Sequence, residues 1–199
     1  MRMSSIYAVA SGDCIDHLLM PLWRCMAAER WIDGLLVRAG DSEHVVWQGE
    51  MGQFPDRVID LAGMSAGERT AAVMTTVEAL CSEARPVLVI VAGGDLVAMA
   101  AAIAAKKLQL PVVHLDSGRR YGARLAPGNV ERAVTDSMCD QLWTLSGQCV
   151  RNLQSEGIAS ERIVSLSEDD VLDATAVGRA LASLRAMHEP GSEMLGDRS

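Results

Sequence analysis

The chain lacks several features that mark broad functional classes. Its five cysteines form no Cys-x-x-Cys pair, and no histidine stands at metal-ligand spacing, so a metal site is not expected. Dispersed cysteines of this kind are typical of reduced, buried thiols in a cytoplasmic protein. Lysine and arginine total 18 of 199 residues and lie scattered along the chain. Aspartate and glutamate total 26, so the formal net charge is −8. That charge pattern argues against nucleic acid as a partner.

No segment has the pattern of a signal peptide or a membrane span. The first residues lead directly into a short apolar strand, without the longer apolar core of a signal peptide. The longest apolar stretch, residues 87–105, is interrupted by Gly93-Gly94-Asp95, where β-branched residues give way to alanine. This pattern predicts a strand, a turn and a buried helix rather than a transmembrane segment.

Apolar residues make up 49% of the chain, and no linker rich in proline, serine or glycine divides it. The chain is therefore expected to form one domain of ordinary size, over residues 1–167. An amphipathic C-terminal helix is predicted over residues 168–188, packed on this domain or on a partner. Residues 189–199 are expected to be a flexible tail.

The most informative segment consists of two β-branched runs on either side of an alanine-rich stretch. Residues 85–95 (RPVLVIVAGGD) and 110–118 (LPVVHLDSG) predict strands that end in glycine and aspartate, and residues 96–109 predict the helix between them. This order makes a βαβ unit with parallel strands. Because ligands bind outside the carboxyl ends of such strands, the segment predicts a binding crevice.

The rest of the chain alternates predicted strands and helices. Pro21 lies inside the first predicted helix, residues 14–29, and should bend it or mark a join. Ser65-Ala-Gly-Glu68 is a capping box that opens a helix. Further strands are predicted at residues 6–10, 34–37, 44–47, 57–61, 141–144 and 162–166, and further helices from about residues 127, 146 and 169. The alternation indicates an α/β fold with a doubly wound, mostly parallel sheet.

From residue 85 to about residue 174 the chain resembles the UDP-N-acetylglucosamine 2-epimerases. Residues 89–95 look like that family's strand with a Gly-Asp turn, and residues 110–120 like its Ile-Pro-Val strand followed by His, an acidic residue, a small residue and Gly. The close of the family's first domain is matched by residues 150–158, 161–163 and 171–174. Places in its Pro-Glu-Glu-x-Asn-Arg-x-x-Thr-Asp helix are kept by Pro127, Arg132, Thr135 and Asp136.

The resemblance implies a Rossmann-like fold, one half of a two-domain glycosyltransferase-B-type protein that binds a sugar nucleotide between its halves. Non-hydrolysing members remove the C2 proton of the sugar, eliminate UDP and add it back with inversion. That chemistry needs carboxylates that exchange protons and groups that hold the diphosphate. The resemblance implies no cofactor. The candidate catalytic residues are Asp95 and Asp116, and the candidate substrate-binding residues are His114, Arg119, Arg120 and Arg132.

Three departures from the family pattern put the chemistry in doubt. The chain ends where the family's second domain would begin, so we expect a lone copy to form half a site. The family's Gly-Thr-Arg-Pro-Glu turn corresponds to residues 11–15, which places Asp13 at an arginine near the phosphates. The family's two adjacent glutamates fall on Gly128 and Asn129, and asparagine cannot carry a proton in acid–base catalysis.

Two candidates on the βαβ unit also have structural interpretations. A gapless match places Gly94 at the family's aspartate, so Asp95 takes that place only if the helix has lost a residue. Asp95 is then either a pocket acid or the N-cap of the following helix. His114 is either a ligand-binding residue or a buried, hydrogen-bonded side chain.

The charged residues after the second strand are equally open to two interpretations. Asp116 with Arg119 and Arg120 either anchors a ligand phosphate or hydroxyl, or forms exposed ion pairs worth little. Arg132 lies either at the crevice or on a solvated helix face.

These patterns favour a diverged half-epimerase, a non-catalytic or partner-dependent subunit in sugar-nucleotide metabolism. Two alternatives stay open, an active 2-epimerase completed by a second chain and one half of a split glycosyltransferase, because fold does not decide function. In each case a sugar nucleotide is the expected ligand. A protein partner or homo-oligomer is expected to cover the apolar face of the cleft.

Overall fold

The computed structural model describes residues 3–41, 47–49, 52–54, 56–122, 126 and 128–188. The strands are β1 (Ser4–Ser11), β2 (Ile32–Gly40), β3 (Trp47–Gly49), β4 (Gly52–Phe54), β5 (Arg57–Asp60), β6 (Leu88–Ala92), β7 (Val112–Leu115), β8 (Gln141–Thr144) and β9 (Ile163–Ser165). The helices are α1 (Gly12–Cys14), α2 (Met20–Ala28), α3 (Ala66–Ala84), α4 (Leu96–Lys107), α5 (Asn129–Met138), α6 (Gly147–Ser155) and α7 (Ala174–His188). A π-helical turn (Ile15–Leu19) joins α1 to α2, and a 3₁₀ turn (Ser160–Arg162) precedes β9.

Seven strands form one parallel sheet in the order β5-β2-β1-β6-β7-β8-β9. From β1 the chain builds outward to β2 and β5 on one side, and from β6 outward to β9 on the other. The strand order therefore reverses between β1 and β6, and such a reversal opens a crevice at the carboxyl ends of the strands. The predicted doubly wound parallel sheet is confirmed. β3 and β4 form a separate antiparallel pair.

The sheet buries a hydrophobic layer on each face, because successive side chains of a strand point to opposite sides. On β1, Ile6 and Ala8 belong to the layer that contains α2 and α7, whereas Tyr7 and Val9 belong to the layer that contains α3 and α4. All five residues of β6 are buried. A run of β-branched residues without polar alternation is what a central parallel strand, covered on both faces, requires.

The first helical segment contains the join that Pro21 predicted. The N–H of Met20 donates to the carbonyl of Ile15, five residues back, at the end of the π-helical turn. Pro21, which has no N–H, then occupies the first turn of α2, where no intrahelical donor is needed.

Side-chain caps define where the later helices begin. Ser65 and Glu68 form the predicted capping box of α3, and Ser146 accepts from the Cys149 N–H at the start of α6. α7 begins at Ala174, later than the predicted start near residue 169. Residues 169 and 170 are held against residues 145 and 146 by a β-bridge and by a backbone hydrogen bond. Asp173 then precedes the first residue of α7, and its carboxylate accepts from the Ala176 N–H in the first turn.

The sequence patterns behind the strands predicted at residues 44–47 and 57–61 are weak. The strand predicted at residues 57–61 is confirmed as β5. Of the strand predicted at residues 44–47, residues 44–46 lie outside the described part of the chain, as does the predicted tail, residues 189–199. Among the helices that the structure describes, none is both long and apolar enough to cross a bilayer.

The C-terminal helix contributes directly to the hydrophobic core. Leu184 is 2% exposed and belongs to the same layer as Trp23, Trp143 and Leu166. We predict that Leu184→Ala lowers the free energy of unfolding by about 2–5 kcal/mol, because it leaves a cavity in this layer. Urea unfolding measures the change, with Val58→Ala, at a side chain 50% exposed, as the control. Equal stability of the two variants would show that α7 is not part of the core.

Candidate functional site

A cavity of about 500 Å³ lies at the reversal point of the sheet. Its walls come from the carboxyl ends of β1 and β2, from the residues after β5, and from the first turns of α3 and α4. Among the residues predicted to form the site, Asp95 alone lines this cavity. The others lie around β7 and α5, where they are linked directly or through Asp136.

Asp95 is the N-cap of α4. Its Oδ1 atom accepts from the N–H groups of Val97, at 2.9 Å, and Ala98, at 3.1 Å. The preceding Gly94 leaves space that the Arg132 side chain fills, since a Cβ atom there would lie 2.1 Å from Arg132. The Gly-Gly-Asp turn is therefore explained by helix capping and close packing.

His114 is fully buried at the end of β7. Its Nδ1 atom lies 2.6 Å from Oδ1 of Asp136, and its Nε2 atom lies 2.5 Å from the carbonyl oxygen of Gly93. Both ring nitrogens are therefore engaged by oxygen atoms of the protein, one by a carboxylate and one by a backbone carbonyl.

Asp136 on α5 is the centre of a buried polar network. Besides His114 it contacts Arg120, 2.8 Å away, and its Oδ2 atom accepts from the Gly118 N–H. Burial disfavours the charged carboxylate, but the hydrogen bond from His114 and the charge of Arg120 outweigh it and lower the pKa of Asp136. Arg120 also binds Glu156 of the α6–β9 connection through two hydrogen bonds.

Asp116 is held in the left-handed region, with φ of 67°, and is 6% exposed. Its carboxylate accepts from Arg119 at 2.9 Å and lies 3.5 Å from the Arg132 guanidinium. Arg119 simultaneously binds Asp170, so it links this loop to the segment before α7. These hydrogen bonds to Asp170 and Asp116 raise the pKa of Arg119 above its ordinary value.

Arg132 and Asn129, both on α5, stabilise the loop that follows β7. Arg132 is 8% exposed, donates to the Asp116 carbonyl, and places its guanidinium 5.4 Å from the ring centroid of Tyr121. Asn129 is 1% exposed; its amide accepts from the Tyr121 N–H and donates to the Tyr121 carbonyl. Asn129 stands where the family pattern has a glutamate, and here it holds the backbone of Tyr121 in place.

Sequence reasoning missed the cationic groups of the cavity. Arg38, on β2, and Arg69, on α3, both line it, and Arg69 forms an ion pair of 2.5 Å with Asp41. The available signal was a single charged residue, Arg38, inside the otherwise apolar strand of residues 35–40. A charge in a buried parallel strand is expensive unless it is paired or functional.

The described residues hold no cluster of three or more His, Cys, Asp or Glu side chains arranged to bind a metal ion. All five cysteines are free, and three of them are buried.

Comparison with known proteins identifies relatives of this chain. A family model described as UDP-N-acetylglucosamine 2-epimerase matches residues 46–190. The UDP-2,3-diacetamido-2,3-dideoxy-D-glucuronate 2-epimerase of Pseudomonas aeruginosa is 28% identical over 123 residues, which cover 62% of this chain and 35% of the relative. The UDP-N-acetylglucosamine 2-epimerase of Methanococcus maripaludis is 28% identical over 121 residues, 61% of this chain and 33% of the relative. The chain thus spans about a third of these relatives.

A solved structure gives the same result for the fold. The UDP-GlcNAc 2-epimerase of Methanocaldococcus jannaschii superposes with a TM-score of 0.73 at 22% identity, over 93% of this chain and 50% of that one. Similarity at this identity concerns the fold alone. It confirms the predicted Rossmann-like, glycosyltransferase-B-type architecture.

The Asp136 network predicts a specific pH dependence of stability. Because the pKa of Asp136 is lowered in the folded protein, its contribution is fully present above the ordinary aspartate value of about 4 and is lost as the pH falls through the folded-state pKa. We predict that Asp136→Asn removes this part of the pH dependence. At pH 7 the variant should lose about 3–5 kcal/mol, since His114 and Arg120 lose a buried partner.

Urea unfolding between pH 7 and pH 3 measures both effects. Asp33→Asn, which changes an exposed aspartate on β2, is the control and should behave as the wild-type chain does. An unchanged acid slope in Asp136→Asn would contradict the assignment.

Proposed function

This chain belongs to the UDP-N-acetylglucosamine 2-epimerase family, and we propose that it binds a sugar nucleotide without catalysing epimerisation. In this proposal it is a cytoplasmic, non-catalytic subunit of sugar-nucleotide metabolism. The single observation that carries the proposal is that the candidate proton carriers are already engaged in contacts within the protein.

The carboxylates around the crevice have structural partners. Asp95 caps α4, Asp116 is bound by Arg119 and Arg132, and Asp136 is bound by His114 and Arg120. A general base must accept a proton from the substrate, and the lowered pKa of Asp136 makes that carboxylate a weaker base.

Asn129 supports the same proposal. Its amide has no proton to exchange, and both of its hydrogen bonds to Tyr121 hold the loop after β7. Restoring a glutamate there would break the bond that the amide donates to the Tyr121 carbonyl.

Ligand binding is supported by the cavity at the reversal point. Its volume of about 500 Å³ lies within the range of small-molecule sites. The walls hold Arg38 and Arg69 together with Asp41 and Asp95, and Arg69 is paired with Asp41, so Arg38 is the described cation that suits an anionic ligand. The family relatives named above act on UDP-sugars, so a UDP-sugar is the ligand class we propose.

Incubation with UDP-N-acetylglucosamine in deuterated water tests the proposal. We predict that the nucleotide binds, as measured by isothermal titration, while NMR detects neither deuterium at C2 nor free UDP. An active 2-epimerase in parallel serves as the positive control. Deuterium at C2 with this chain alone would contradict the proposal. Deuterium only after adding the product of a neighbouring gene would instead establish an active enzyme completed by a second chain.

We also propose that a protein chain, a second copy in the simplest case, covers the surface at the carboxyl end of β7. Three exposed apolar side chains support it: Tyr121, Val130 and Val171, which are 52%, 49% and 55% exposed. The Asn129–Tyr121 and Arg119–Asp170 hydrogen bonds bring the segments that carry them to the same surface. Apolar side chains grouped in this way are typical of interaction surfaces.

Light scattering after size exclusion tests the proposed interface. We predict that the wild-type chain is a dimer and that Val130→Glu is a monomer, because the substitution places a charge within the apolar contact. Val87→Glu, at a side chain 46% exposed near the amino end of β6, should leave the dimer intact. A wild-type chain that is monomeric and captures no partner would contradict the proposal.

A further inference from the structure

Arg38 is a buried arginine without a partner in the described part of the chain. It lies near the carboxyl end of β2, is 6% exposed, and lines the cavity at the reversal point. Every other buried charged residue of the described chain, namely His114, Asp116, Arg132 and Asp136, has a hydrogen bond or ion pair. Removing an unpaired guanidinium from water is costly, so its retention points to a ligand.

Among the described charged side chains that line the cavity, Arg38 is the cation that no carboxylate neutralises. Arg69 is neutralised by the ion pair with Asp41. Asp95 opposes an anion, but its Oδ1 atom already receives two N–H groups at the start of α4. Among the described side chains of the cavity, an incoming anion therefore meets one unpaired positive charge, that of Arg38 on the wall formed by β2.

The space around the guanidinium is kept open by Gly12 at the end of β1. A Cβ atom on Gly12 would lie 2.8 Å from Nη2 of Arg38. The guanidinium thus rests against the turn that joins β1 to α1, next to the point where the strand order reverses. This is where an open parallel sheet binds its ligands.

We propose that Arg38 binds a phosphate group in this cavity, namely the diphosphate of the sugar nucleotide. The inference rests on the proposed function and adds a specific binding residue to it. The planar fork of a guanidinium matches two phosphate oxygens, and a charge-assisted, bidentate contact in a largely desolvated site is strong. Binding also supplies the partner that the buried charge lacks in the free chain.

Titration of the full chain with inorganic pyrophosphate at low ionic strength tests the proposal. We expect the wild-type chain to bind pyrophosphate more tightly than malonate, and Arg38→Gln to weaken pyrophosphate binding by about tenfold to a hundredfold. The ligand-free Arg38→Gln chain should melt at the same temperature as the wild type or higher, because an unpaired buried charge has been removed. A purely structural arginine would instead lower the melting temperature.

Two further variants complete the test. One is a control for the loss of charge, and the other tests the site without changing Arg38. Arg24→Gln, on the exposed side of α2, removes the same charge outside the cavity and should bind pyrophosphate as the wild type does. Gly12→Ala keeps the charge but fills the space beside the guanidinium, so it should bind pyrophosphate less tightly. If Arg38→Gln does not fold, unchanged affinity in Gly12→Ala overturns the proposal.

The outcomes separate this inference from the proposed function. Wild-type affinity in Arg38→Gln, no pyrophosphate binding, or equal binding of malonate overturns the role of Arg38. If UDP-N-acetylglucosamine binds equally to the wild type and Arg38→Gln, the proposed function stands while this inference fails. Deuterium at C2 overturns the non-catalytic proposal and leaves the phosphate contact of Arg38 intact.

Discussion

The buried hydrogen bond between His114 and Asp136 is the interaction on which the region around the crevice depends. It joins the end of β7 to α5 at 2.6 Å, where both side chains are shielded from water. Through Asp136 it also positions Arg120 and the Gly118 N–H, and so the loop after β7. Breaking one member would leave a charge buried without its partner, which is among the most destabilising changes a protein can undergo.

The polar side chains at the carboxyl ends of the strands form two groups. Those around β7 and α5 neutralise one another and belong to the scaffold. Arg38 alone among the buried charges described stands unpaired, at the other side of the strand reversal. The chain thus has the fold of the 2-epimerase family, and the buried polar groups around β7 and α5 hold backbone and helices in place. Binding by a preformed cavity needs only the fold and one suitable charge, whereas proton transfer needs free acids and bases.

Local patterns were sufficient to predict much of this architecture. The βαβ unit follows from two β-branched runs on either side of alanine, and the capping box of α3 and the join at Pro21 follow from short-range backbone chemistry. Tertiary contacts decided the rest. α7 starts late because residues 169 and 170 pair with residues 145 and 146, which are distant in sequence. Which side chains Asp136 binds, and whether Arg38 has a partner, likewise depends on residues that only folding brings close.

A crystal structure of the chain with UDP-N-acetylglucosamine would show which side chains bind the phosphates. We expect phosphate oxygens within hydrogen-bond distance of the Arg38 guanidinium, with the His114–Asp136 hydrogen bond and the Asp116–Arg119 ion pair unchanged. Phosphates bound instead by Arg119, Arg120 or Arg132, with Asp116 or Asp136 released toward C2 of the sugar, would contradict this expectation.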